Sequence, residues 1–233
     1  MVLMVALSLQ LLTAAMFYEQ PAVLADSDEA QPACSEANAF CLTAKIAVGS
    51  EAIKTVPRIQ VTTPQPEAAK RVVTYIVETR GNLESADLAE FKRQANETLN
   101  NERGWAAMGV RFEERASGGE FTLVLSEASQ VPSFAPGGCD SYYSCNVGRY
   151  VIINEDRWMG ATSGWNANGG GLRDYRHMVV NHETGHWLGH GHQSCSGSGN
   201  KAAVMQQQSI DLGGCAFNPW PLPSELYSSR LGI

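Results

Sequence analysis

The chain of 233 residues contains five histidines, and all of them fall between His177 and His192. Four lie in one string, His182-Glu183-Thr184-Gly185-His186-Trp187-Leu188-Gly189-His190-Gly191-His192. Scattered histidines serve packing or hydrogen bonding. A cluster this tight, with a glutamate after its first member, restricts the local fold to one that brings imidazoles to a common point. From Leu172 the pattern is helical and carries Met178, Val179, His182 and His186 along one side. On such a helix His182 and His186 stand one turn apart, so both rings reach one metal ion. Glu183 flanks the same face, where it can take a proton from a water that zinc acidifies to a pKa of about 7.

Gly189 is the next informative residue. A straight helix would carry His192 away from the metal, whereas a glycine in the left-handed conformation ends the helix and lets the chain return. His192 is then the expected third ligand, with a fourth position left open as a catalytic site requires. His190 competes for that role only if the helix continues through Gly189. His177 falls on another side of the helix and reads as structural or solvated. Trp187 reads as packing beneath the helix.

His182, Glu183, His186, Gly189 and His192 fill every fixed position of HExxHxxGxxH. With Met205 downstream in Ala203-Val204-Met205, the chain resembles the metzincin zinc metallopeptidases, whose methionine turn lies under the metal. The stretch of about 70–226, including Gly213-Gly214-Cys215-Ala216-Phe217-Asn218-Pro219-Trp220-Pro221, is also similar to a family of uncharacterised exported bacterial proteins of actinobacterial type that carry this motif. The resemblance implies a zincin-like α+β fold with Zn2+ as cofactor, Glu183 as catalytic base and Met205 as the methionine turn. It further implies a cleft bounded by an edge strand. Some metzincins carry a tyrosine two residues past the methionine; here that position is Gln207.

A hydrophobic fraction of 44% is enough for a core, and a formal charge of −7 argues against nucleic-acid binding because no basic patch is left to pair with phosphates. Val2 to Phe17 is an apolar run, and Val23-Leu24-Ala25 is a small-residue cleavage pattern, so residues 1–25 read as a signal peptide. The first basic residue is Lys45, so the run lacks a positive start, and an uncleaved anchor is the alternative. That segment is the one expected route to a membrane. Residues 26–70 read as a pro-segment or linker, and 71–233 as the zinc domain, expected to be a monomer.

Six cysteines in an apparently exported chain favour disulfides. Their order suggests the local pairs Cys34–Cys41, Cys139–Cys145 and Cys195–Cys215, the last closing a loop around Met205. Cys34 or Cys41 could instead bind zinc as a latency switch. Asn96-Glu97-Thr98 matches a glycosylation sequon by pattern alone.

Residues 71–78 read as a buried strand. Ser85 is the expected N-cap of a helix running to about 102, with Leu88, Phe91, Ala95 and Leu99 in phase. Gly104 ends it. Residues 109–115 and 120–127 read as strands joined by a hairpin at Ser117-Gly118-Gly119. The segments 131–148 and 160–171 read as loop, Arg149 to Asn154 as a strand, and 190–233 as a short irregular C-terminal subdomain. The expectation is a mixed, twisted sheet: a helix joining two parallel strands, antiparallel additions, one packed helix and one active-site helix.

These readings converge on a secreted or cell-envelope zinc endopeptidase acting on protein or peptide. The alternatives are a non-catalytic zinc-containing envelope binding protein and a zinc amidase acting on cell-wall peptide.

Overall fold

The computed structural model describes residues 69–83 and 86–233. The expected signal peptide, almost all of the 26–70 segment and the Cys34–Cys41 pair lie outside the described residues, as does Ser85, and the N-cap of the first helix is Asp87 rather than the expected Ser85. Among the described residues, no helix is long and apolar enough to cross a membrane.

Strand β1, Arg71–Arg80, leads to helix α1, Leu88–Leu99, and then to strand β2, Val110–Glu114. Helix α1 starts at Asp87, whose side chain accepts from the N–H groups of Ala89 at 2.9 Å and Glu90 at 3.2 Å. Two orphan donors of the first turn are met in this way. Phe91, Ala95 and Leu99 are buried on one face as their spacing requires. The helix stops before Gly104, and a 3-10 turn, Trp105–Met108, delivers the chain to β2.

Strands β3, Phe121–Ser126, β4, Cys145–Val147, and β5, Tyr150–Asn154, complete a sheet of order β2-β1-β3-β5-β4. The expected hairpin between the second and third strands is not formed. Both run parallel to β1, on opposite sides of it: β2 pairs with Arg71 to Tyr75, and β3 with Tyr75 to Arg80. The link between them crosses β1 at Tyr75. A Cβ on Gly119 would come within 2.7 Å of the Ile76 nitrogen and 2.8 Å of the Tyr75 carbonyl carbon. The glycines therefore permit a close backbone crossing rather than a reversal. Likewise only β4 is antiparallel, where several antiparallel additions were expected.

The 131–148 segment is not all loop. It holds the end of a 3-10 turn, Ala128–Phe134, and the edge strand β4. The Cys139–Cys145 disulfide ties the approach to β4, and a Gly- and Ser-rich composition hides so short a strand. In the same way two short helices, α2, Glu155–Gly160, and α3, Ser163–Ala167, occupy the stretch after β5, each started by a polar cap, Asn154 and Thr162. Helix α4, Leu172–Leu188, follows, and the tail beyond it has a single 3-10 turn, Pro223–Glu225.

Side chains of alternate strand residues build two cores. Val73, Leu123, Leu125, Val151 and Ile153 pack with α1 and α4 through Phe91, Trp158, Met178 and Trp187. Val124 and Ile152 face the other way and pack with Val131 and Cys139. Every residue of β3 is buried, as expected for a parallel strand covered on both faces. Removing the α1 cap with Asp87→Ala is expected to lower unfolding free energy by about 1 kcal/mol. Chemical denaturation measures it, and an unchanged midpoint would contradict the capping role.

Candidate metal centre

Helix α4 runs through the core, and its residues from His177 to Gly185 are all buried. Burying polar side chains costs several kcal/mol unless they find partners (about 2–7 kcal/mol for a neutral group). Asn181 donates to the Pro219 carbonyl at 2.9 Å, and its own carbonyl accepts from Trp105 Nε1 at 3.0 Å. His177 Nδ1 lies 2.8 Å from Thr98 Oγ1, and its ring packs against Trp220. Burial holds its pKa below the ordinary value. His177 thus reads as structural, turned away from the other histidines.

The helix ends in a Schellman motif. Gly189 takes φ 104°, its N–H donates to His186 O at 3.0 Å, and the His190 N–H reaches Gly185 O at 3.0 Å. The chain then turns back, and Gln193 donates to the Met205 carbonyl at 3.0 Å, which fixes the approach of His192. His182, His186 and His192 each offer one ligand atom, and these atoms lie within 4.8 Å of one another.

Contacts set His190 apart from His192. The His190 ring is stacked on Trp105 and its Nε2 lies 2.8 Å from the Tyr227 carbonyl. Its contribution to the cluster is a backbone one: its carbonyl accepts from His186 Nδ1 at 3.0 Å. His182 Nδ1 is likewise 2.8 Å from the Val204 carbonyl. A carbonyl can only accept, so both histidines carry their proton on Nδ1 and present Nε2 as a lone-pair donor. His186 Nε2 and His192 Nε2 are 3.1 Å apart. Two nitrogens held about 2.0–2.1 Å from one tetrahedral zinc lie about 3.3 Å apart, so the donor set and spacing fit a zinc-sized cation. Burial, then the neighbouring His186, pushes His182 down to about 3, which keeps it neutral and available as a ligand.

Glu183 sits in the same cleft. Burial raises its carboxyl to about 8; a nearby positive charge acts in the opposite sense. The cleft holds about 460 Å³, and its lining runs from the Cys139–Cys145 loop and β4 to Met178, Val179 and the segment Gln207–Ile210. Gln207 is exposed into it, and the lining tyrosine is Tyr143.

Met205 is fully buried beneath α4. A Cβ on Gly185 would collide with Met205 Sδ and come within 2.9 Å of Trp105. Gly185 is therefore a packing glycine inside the motif, a role that spacing alone does not reveal. The wall residues Tyr143 and Ile210 and the buried Glu225 also carried no sequence signal beyond the cysteines that bracket or adjoin their loops. The Cys195–Cys215 disulfide is formed and closes the segment that carries Met205.

Gly185→Ala separates two opposed effects. In an open helix the change gains about 1 kcal/mol, while overpacking a filled core costs about 1–3 kcal/mol. The collision with Met205 is expected to dominate and lower the unfolding midpoint of the metal-free protein. A raised midpoint in chemical denaturation would refute that packing.

Residues 43–223 match the family described as Protein of unknown function (DUF3152), and the chain belongs to that family. No curated protein matches it.

Proposed function

We propose that this DUF3152 chain is an exported zinc endopeptidase of metzincin type. The observation that carries the reading is the convergence of His182, His186 and His192 beside the buried Glu183 in a cleft that an edge strand adjoins. The expected HExxHxxGxxH roles, the left-handed Gly189 and the buried Met205 all support it. Two disulfides suit an oxidising, extracellular compartment.

His182, His186 and His192 would hold the zinc, which would supply Lewis acidity to a substrate carbonyl and to a water. The rest of the chemistry belongs to the chain. Glu183, with no hydrogen bond to another protein group among the described residues, is free to take a proton from the attacking water. It then returns that proton to the leaving amine. Strand β4 is the last strand of the sheet, and among the described residues no strand pairs with its outer edge, where an extended peptide can add as a further strand. The cleft wall at Met178, Val179 and Ile210 offers apolar surface to a side chain of that peptide.

Purified protein incubated with a diverse peptide library, with and without a chelator, tests the reading. Chelator-sensitive cleavage is expected. Cell-wall peptide cleaved in place of the library would point to the amidase, and zinc binding without turnover to a binding protein. Glu183→Gln is expected to lose about 10²–10⁴-fold in rate while retaining zinc. Full activity in that variant sinks the mechanism.

A further inference from the structure

Glu225 is fully buried, although it belongs to the short 3-10 turn of the C-terminal tail. Among the described residues no lysine or arginine pairs with it. Three backbone N–H groups hold its carboxylate instead. Val204 donates to Oε2 at 2.9 Å, Leu222 to Oε2 at 2.7 Å and Met205 to Oε1 at 2.9 Å. Hydrogen bonds from N–H groups to a carboxylate are shorter and stronger than neutral ones.

The Met205 bond matters most. Its N–H belongs to the same peptide unit as the Val204 carbonyl, and that carbonyl lies 2.8 Å from His182 Nδ1. In a trans peptide the two groups point in opposite directions. The order is therefore carboxylate, peptide N–H, peptide carbonyl, imidazole, with each bond polarising the next. Metal-binding histidines commonly donate their second nitrogen to a carboxylate or carbonyl, which fixes the ring and strengthens it as a ligand. We propose that Glu225 is a positioning residue for the metal, acting on His182 through the Val204–Met205 peptide. The proposal rests on the zinc-site reading above. His186 supplies an internal contrast: its Nδ1 meets the His190 carbonyl, and among the described residues no carboxylate stands behind that peptide.

Glu225→Gln keeps the shape but turns an NH₂ group toward N–H donors that need an acceptor. Zinc affinity, read by competition with a chromogenic chelator, is expected to fall about 10–100-fold. Ser228→Ala is the control. It removes a 2.8 Å bond from the same tail to the Leu188 carbonyl without touching Met205. It is expected to lower the unfolding midpoint and leave zinc affinity within about threefold of native. Native affinity in Glu225→Gln, or an equal loss in both variants, overturns the proposal. A second measurement needs no variant to fold. In the zinc-loaded native protein the His182 Nδ1 proton is expected at lower field than that of His186 by NMR, and the reverse order overturns the relay. A native chain that binds no zinc overturns the functional reading together with the relay. Chelator-sensitive peptidase activity with unchanged affinity in Glu225→Gln overturns the relay alone.

Discussion

A helix that closes on a left-handed glycine leaves carbonyls without partners inside the helix, and here the C-terminal chain meets them. Leu188 O accepts from Ser228 Oγ at 2.8 Å and from the Arg230 N–H at 3.2 Å, and Trp187 O accepts from Arg230 Nε. The tail approaches so closely that a Cβ on Gly189 would collide with Ser229 Oγ. Two demands thus meet at Gly189: φ of 104°, which side chains rarely adopt, and room for the Ser229 hydroxyl of the tail. Satisfying both ends α4, sends His192 back toward His186 and seats the tail that carries Glu225.

The polar cost of α4 follows the same logic. Asn181, His177, His182 and His186 each direct a polar atom to a named partner outside the helix or beyond its end. Glu183 lacks one among the described residues, although it is as buried as its neighbours. Asn181 Oδ1 and Thr184 Oγ1 on the same helix also lack partners among the described residues, but the Glu183 carboxyl is the one that lines the cleft, and a buried ionisable group placed there marks a functional position.

How much the sequence made legible varies with the range of the interactions involved. The extent of α4, its end at Gly189 and the return of His192 toward His182 and His186 were readable because helical period and glycine conformation are local properties. So were the pairs Cys139–Cys145 and Cys195–Cys215, each short in sequence. The crossing of β1 at Gly119 was not: the same Gly-Gly that signals a hairpin also permits a close passage, and only pairing with β1 decides between them. Strand β4 escaped because three residues carry no period. Glu225 escaped because its partners are backbone groups, which have no residue identity to read.

The two sides of the cleft reach order by different means. Helix α4 is set by packing against α1 and the sheet, a core with several tryptophans and phenylalanines. The opposing segments have little such material: Gly138 to Asn146 and Cys195 to Asn218 are rich in glycine and polar residues. Each carries a disulfide, worth about 2–4 kcal/mol through restriction of the unfolded chain. Side-chain amides add to the second, where Gln208 donates to the carbonyls of Asn218 and Ala203 and accepts from the Asn218 N–H, and Asn218 Nδ2 donates to the Ala202 carbonyl. Covalent and polar bonds there replace the apolar contacts that would otherwise fill the cleft. The wall can therefore be ordered and still leave open space in front of Glu183.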